Sequence, residues 1–502
     1  MEHEKDAVGR RSFLKGGLGV GLGTAALISS ATAHAQSAPA KNTKTEGYDT
    51  VVVGAGCAGL ACAIEAHDRG AKVVLLEKMD RPDGNTIYSS GRFAGVGSRF
   101  QKDTGENVDE FVKDMLHLSH NRGDANLLRA YAELSGESID WLIDLGVPLK
   151  LVKNLPHPSG SRCFFLNGNG ITGGSVLMRV LLAAAKQRNI PIHYNTKAFE
   201  LITDENKAVT GVFTLTDRGP KNYMAKGGVV LTTGGFSANP EMVDIYMGDW
   251  ATRLAVRGSL CTTGENILMT KPLHALLVNM DQFYAGPIVP ETHANPARIG
   301  NSAYGIIVSL QGKRFLDENL EQAPRSKKIA QATPDNRSFI IVDAKTDDED
   351  MILSKLLKRF GRLNSPIAKG NTLEEMIKAA GLPMEATLAT IKEFNAAVAA
   401  GTTAQLDPPQ TRKKPHPIAT APFYAVPMSG GIAATFGGPK IDTSARIVNF
   451  ERRPIPGLYA AGNAAGGVWY EADIGGNQLA SGLVFGRIAA RDSAARAKGK
   501  KA

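Results

Sequence analysis

Apolar and polar positions follow two periods along this chain, and each change of period marks an element. Val51–Val53 is a short continuous apolar run of the kind buried on both faces of a parallel sheet. Leu60 to Arg69 then carries the spacing of a helix, and Ala71–Leu76 runs apolar again, which predicts a strand–helix–strand unit. Helical spacing returns over Val108–Leu118, Ala125–Leu134 and Ser138–Leu145, where Gly146 ends it, and again over Ser175–Gln187. Residues 192–216 and 228–232 alternate or run apolar as strands. Between 284 and 424 the texture changes, with more prolines, mixed charge and a helical stretch around Leu373 to Ala399. A last strand within Gly457–Asn463 and a last helix over Leu479–Arg491 close the pattern. The class this predicts is α/β. A discontinuous Rossmann-like domain (48–283 and 425–497) is interrupted by an inserted α+β capping domain (284–424), with a basic tail at 498–502.

Glycines turn that first unit into a binding prediction. Gly54 and Gly56, with Ala55 between them, allow a tight turn and close backbone approach to a pyrophosphate. Gly59, beside Ala58, lets the helix pack on the strand, and the helix N-terminus presents N–H groups to phosphate. Glu77, at the end of the second strand and followed by Lys78, is placed for a ribose hydroxyl. Strand, glycines, helix, strand and acid in that order predict an adenine dinucleotide site. Later small-residue turns return the chain to it: Asn85 and Thr86, Ser90 and Gly91, Thr233-Gly234-Gly235, Gly264-Glu265, Gly462-Asn463, and Asn477-Gln478-Leu479 at the mouth of the last helix.

Composition alters this picture at few points. The 502 residues carry a formal charge of +9, with no Lys/Arg clusters interleaved with aromatics, so a nucleic-acid partner is not expected. Residues 1–35 read as an address rather than structure. Gly9-Arg10-Arg11-Ser12-Phe13-Leu14-Lys15 resembles a twin-arginine signal for the export machinery. Gly16 to Ser30 is too short and too weakly apolar for a stable membrane span, and Ala33-His34-Ala35 has the form of a cleavage site. A polar linker (36–47) would then begin a mature periplasmic protein near Gln36. The four cysteines include no Cys-x-x-Cys pair, and Cys57 and Cys62 read as small buried hydrophobes. No Cys-x-x-Cys-His occurs for a c-type haem, and the ten histidines show no metal-ligand spacing.

Taken together, the N-terminal fingerprint, Thr233-Gly234-Gly235-Phe236, Gly312-Lys313-Arg314-Phe315 with Asp317-Glu318, Gly457–Asn463 and Gly475-Gly476-Asn477 resemble the FAD-dependent fumarate reductase and 3-ketosteroid dehydrogenase superfamily. The resemblance covers roughly 48–495. It implies FAD held between the nucleotide domain and the cap, a small-molecule substrate, and hydride exchange between the flavin and an activated C–C bond. The FAD would be non-covalent, since no His-Thr attachment sequence stands near 88–92, and electrons would pass to or from a separate carrier or a quinone.

Two departures from the family pattern bear on the substrate. Ala434-Thr435-Phe436-Gly437-Gly438 stands where fumarate reductases carry a carboxylate-holding His, and Asp473 stands where they carry a gripping Arg. Fumarate itself is therefore not the expected substrate. The Ala461-Gly462-Asn463 turn is similar to that of the ketosteroid dehydrogenases and favours dehydrogenation of a cyclic ketone, steroid or tricarballylate-like molecule. The alternatives are an enoate reductase with a non-fumarate substrate and a non-redox hydratase or isomerase. For catalysis the resemblance offers Tyr470 and Asp473 as acid or base, and Tyr304 as a substrate contact. Tyr470 reads equally as an aromatic wall, and Asp473 as a helix-entry residue. Arg325 stands three residues beyond the family's proton-donating register after Phe315 and reads better as a surface arginine. Arg314 reads as a link from cap to flavin domain.

Overall fold

The computed structural model describes residues 43–166, 172–300, 304–348, 351–471 and 474–499. The leader at 1–35, most of the linker, Asp473, and part of the glycine cluster at 168–174 lie outside them. Glu46 to Ala502 form one compact unit.

An eight-stranded sheet carries the first core. Its strands run in the order Arg446–Val448, Pro454–Ala460, Gly219–Leu231, Lys44–Val53, Val73–Leu76 and Ile192–His193, with Thr196–Thr203 and Val209–Thr216 folded antiparallel beside Gly219–Leu231. Val73–Leu76 pairs in parallel with both Lys44–Val53 and Ile192–His193, and Pro454–Ala460 pairs in parallel with Gly219–Leu231. Strands from both ends of the sequence therefore meet in one sheet. The order reverses about Lys44–Val53, and ligands of such sheets bind beyond the strand C-termini at that reversal. Helices Cys57–Asp68 and Asn477–Ala497 cover this core, and an ion network runs from buried Glu65 and Arg487 through half-buried Arg491 to exposed Glu137.

A six-stranded sheet holds the second core. Its spine is Phe423–Thr435. The first half of that strand pairs with Ser338–Asp343, and the second half with Phe283–Ile288. Ala255–Val256 lies against Gly431 and Ile432. The sheet thus draws strands from 255–435, on both sides of the expected 284–424 limits.

Two helix expectations need correction. Ala125–Asp144 is one helix, not two: Gly136 stays inside it because a Cβ there would stand 2.2 Å from the Gly97 carbonyl carbon. Leu373–Ala399 is instead two helices, Leu373–Ala380 and Met384–Ala400, parted by Gly381 at φ +68° and by Pro383. No helix among the described residues is long and apolar enough to cross a membrane.

Candidate functional site

Four parallel strands end at one place, and each is followed by residues that line a single cavity of about 1060 Å³: Gly54–Gly56 after Val53, Glu77 after Leu76, Thr232–Gly234 after Leu231, and Ala461–Asn463 after Ala460. This volume lies just above the usual range for small-molecule and cofactor sites, roughly 300–1,000 Å³. The turn is tight enough to demand glycine. Gly54 has φ +108°, and a Cβ there would sit 2.5 Å from the Thr232 carbonyl oxygen. A Cβ at Gly59 would come within 1.9 Å of the Gly54 oxygen. Strand, turn and helix are therefore in backbone contact.

Glu77 is 6% exposed and accepts hydrogen bonds from the Ala55 N–H at 2.9 Å and the Met79 N–H at 3.0 Å. Burial pushes its carboxyl above the usual range, against those two N–H groups, which favour the anion. The Thr86 hydroxyl accepts the Cys57 N–H at 3.1 Å. Two of the donors expected to face phosphate are therefore taken internally. Asn85 joins three segments, accepting from the Ser259 N–H at 2.9 Å and donating to the Ala433 carbonyl at 2.7 Å. Lys78 donates to Glu265 at 2.6 Å and to the Thr263 hydroxyl at 2.9 Å. Burial alone would raise the Glu265 carboxyl, but Lys78 holds it below its usual range.

Of the residues expected at the cofactor, Gly54, Ala55, Gly56, Ala58, Glu77, Lys78, Asn85, Thr86, Ser90, Thr233, Gly234, Glu265, Gly462, Asn463, Gln478 and Leu479 line the cavity. Gly59, Gly91, Gly235 and Gly264 stand behind that lining, packed on Gly54, Gly173, Thr435 and Met242. Asn477 is fully buried and accepts the Tyr131 hydroxyl at 2.9 Å.

The expected catalytic residues fare differently. Tyr470 is buried outside the lining, its ring 4.2 Å under the Arg122 guanidinium. Tyr304 is also outside it, stacked on His416 at 4.3 Å. Arg325 is neither at the cavity nor on the surface. It is 2% exposed, donates to the carbonyls of Gly300 and Leu320 at 2.7 and 3.1 Å, and is pushed down to about 10 by burial and by Arg412. Arg314 pairs with Glu318 at 2.7 Å and donates to the Pro408 carbonyl at 2.8 Å, so these bonds stay within 284–424 rather than reaching the flavin domain.

In their place the cavity receives Arg257, Tyr284, Gln322 and Arg359. Arg257 follows strand Ala255–Val256, and its N–H is fixed on the Ile432 carbonyl at 2.8 Å. Tyr284 sits at a register shift of strand Phe283–Ile288 against Phe423–Thr435, a bulge of the kind that re-aims side chains. Gln322 opens helix Gln322–Ala332 and donates to the Tyr284 hydroxyl at 3.0 Å. Burial pushes the Arg257 guanidinium below its ordinary value; the Tyr284 hydroxyl works against this, and nearby Arg359 adds to it.

An FAD fits these residues. The glycine turn gives a pyrophosphate close approach, Glu77 and Lys78 stand at the ribose end, and Gln478 and Leu479 open a long helix on the far side. Two residues of the lining, Arg92 and Glu265, keep a buried polar atom without a protein partner (Nε and Oε2). A polar ligand satisfies such atoms.

Comparison with known proteins agrees. Residues 49–479 match the FAD binding domain family. The chain is 30% identical over 483 residues to an NADH:fumarate oxidoreductase of Klebsiella pneumoniae, covering 94% of this chain and 50% of that protein. The chain thus spans half the length of that relative. The structure of a flavocytochrome c3 fumarate reductase in its open conformation superposes with a TM-score of 0.79 at 28% identity, covering 94% of this chain and 81% of that one. The 3-ketosteroid-Δ4-(5α)-dehydrogenase of Rhodococcus jostii RHA1, in complex with 4-androstene-3,17-dione, gives 0.71 at 25% identity, covering 91% and 99%. With its glycine turn, acid and strand ends converging on one cofactor-sized cavity, the chain belongs to the FAD binding domain family and is an FAD-dependent oxidoreductase.

Proposed function

We propose that the protein moves a hydride between FAD and a carbon–carbon bond made electron-poor by an adjacent carbonyl or carboxyl group, working in the reducing direction. One observation carries this reading: the cavity that holds the nucleotide cradle extends to a polar corner built by the second sheet, Arg257, Tyr284 and Gln322. Fumarate and androstenedione, named with the similar proteins, share such a conjugated C=C–C=O unit.

When bound, FAD supplies the hydride chemistry itself. The chain's own residues bind and orient. Gly54 and Gly56 admit the pyrophosphate, Glu77 holds ribose, and the Asn85 bridge keeps the 83–91 loop against the strand that carries Ala433 and Ala434. Arg257, Gln322 and Tyr284 polarise a carbonyl or carboxylate oxygen, which draws electron density from the carbon due to receive hydride. The neighbouring carbon takes a proton that comes from solvent, so one hydride and one proton together saturate the C=C bond. No histidine lines the cavity among the described residues, burial pushes the Cys57 thiol up to about 12, and the lining's other cysteine, Cys261, has its Sγ 3.3 Å from the Met79 Sδ. FAD is accordingly read as non-covalent: acid precipitation should release all the yellow colour, and colour left on the protein would contradict this.

The deciding experiment is anaerobic. Photoreduced holoprotein is mixed with cyclohexenone, crotonate, cinnamate and 4-androstene-3,17-dione, and flavin absorbance near 450 nm is followed. At least one should reoxidise the flavin in a single turnover. If none does, and no saturated counterpart bleaches the oxidised flavin, the reading is lost. Bleaching by a saturated ketone would instead favour the dehydrogenase direction suggested by the Ala461-Gly462-Asn463 turn. Export and electron supply belong to the same proposal: a twin-arginine leader delivers folded holoprotein to the periplasm, where a separate carrier or quinone exchanges electrons with it. Arg10→Lys with Arg11→Lys should hold the protein in the cytoplasm, and N-terminal sequencing of exported protein should begin near Gln36.

A further inference from the structure

Arg257 occupies a seat made by the absence of side chains. A Cβ at Gly431 would lie 2.6 Å from its Cγ and Cδ, and a Cβ at Gly286 would lie 2.0 Å from its Nη1 and 2.7 Å from the Gln322 Nε2. The two glycines, on neighbouring strands, leave a channel that the arginine fills, with the Gln322 amide beside its end over Gly286. At the end of that channel the Tyr284 hydroxyl fixes the guanidinium, and the Gln322 amide holds the hydroxyl from the other side. Among the described residues no carboxylate forms an ion pair with Arg257, and Arg359, a second cation whose field reaches it, lines the same cavity, as does Arg362. Like charges on one cavity, with no carboxylate paired to Arg257 among the described residues, call for an anion there. The planar fork of arginine matches a carboxylate in two-point contact.

We infer that Arg257, positioned by Tyr284 and Gln322 over Gly286, is the anchor for a single substrate carboxylate, so that the natural substrate is an α,β-unsaturated monocarboxylic acid rather than a neutral ketone. The inference rests on the hydride-transfer reading above and adds the substrate's charge to it. Arg359 supplies a second positive field and draws the acid in.

The test is a titration of oxidised holoprotein, read by perturbation of the flavin spectrum, with crotonate and cinnamate as the charged probes and crotonamide as the neutral one. Wild type should bind the acids. Arg257→Met should weaken them about 10- to 100-fold, the loss expected for one hydrogen-bonded charge contact, and should leave crotonamide within threefold. Gly286→Ala should weaken the acids in the same sense with every charge retained, because the added methyl occupies the guanidinium's space. Flavin content and melting temperature, measured on both variants, separate a folding defect from a binding defect. Unchanged acid binding in Arg257→Met, or equal loss for acid and amide, would overturn the anchor. So would a wild type that binds neither acid. If the wild type binds neither acid while its reduced flavin is still reoxidised by cyclohexenone, hydride transfer survives and the anchor alone falls.

Discussion

Single residues decide whether the cofactor enters. Gly59→Ala would drive a methyl into the Gly54 carbonyl oxygen, a 1.9 Å approach that backbone must relieve by opening the turn. The expected outcome is folded protein with little bound FAD, checked by the ratio of absorbance at 450 and 280 nm. Arg325 is a contrasting case. Its bonds include those to the Gly300 and Leu320 carbonyls, and Arg412 also donates to Gly300, so Arg325→Met strands the Leu320 carbonyl, should lower stability by about 1–3 kcal/mol and should leave turnover per bound flavin unchanged. Glycines and the strand-end acid could be read from the sequence because their chemistry is local: turn, acid and helix lie within 25 residues. Arg257, Tyr284 and Gln322 could not, since only the second sheet brings them together. One clue was available. Gln322 stands in the register, counted from Phe315, where a proton-donating arginine was sought, and Arg325 lies three residues past it.

At the scale of elements, the first and last helices are tied by charge as well as by packing. The Arg487 Nε donates to Glu65 at 2.9 Å, both residues being under 10% exposed, and Arg491 reaches the other Glu65 oxygen at 2.9 Å. Burial alone would raise the Glu65 carboxyl; the arginines overcome it and hold its pKa low. A depressed carboxylate pKa contributes stability above its unfolded value, about 4.3, and loses it as pH falls through the lower folded one. Glu65→Gln should therefore lower the melting temperature at pH 7, with the gap to wild type narrowing as pH falls below about 4. Arg487→Met, which strands the acid, should cost about 3–5 kcal/mol at pH 7, measured by urea unfolding. Some helix limits were legible from a cap, whereas Pro240–Met247, capped by Asn239, was not read. Val108–Leu118 begins after Asn107, whose side chain accepts the Glu110 N–H. They failed at Gly136, where glycine serves packing rather than a stop, and at Gly381, where the helical stretch was read through a left-handed turn.

On the scale of the whole molecule, the nucleotide sheet was legible and the second sheet was not. Three strands of the first, Lys44–Val53, Gly219–Leu231 and Pro454–Ala460, lead into glycine turns, and those turns punctuate the sequence. Phe423–Thr435 instead takes partners from segments up to about 170 residues earlier, pairings with no local mark. Because residues from both sheets wall the FAD cavity, ligand and fold are coupled. At a hundredfold excess of free FAD over its Kd, the holoprotein should gain about 2.7 kcal/mol over apoprotein, seen as a melting temperature that climbs with FAD concentration. A melting temperature indifferent to FAD would mean that the cavity closes equally well without it.

Arg257 and Gly286 share one volume, and this constrains how such a protein can change by descent. A bulkier residue at 286 is barred while the arginine stays, and the arginine's loss leaves an empty channel. Either exchange alone should be selected against, whereas Arg257→Ala joined with Gly286→Ala should recover part of the stability that each loses singly. The lineage can cross between the two arrangements only in paired steps.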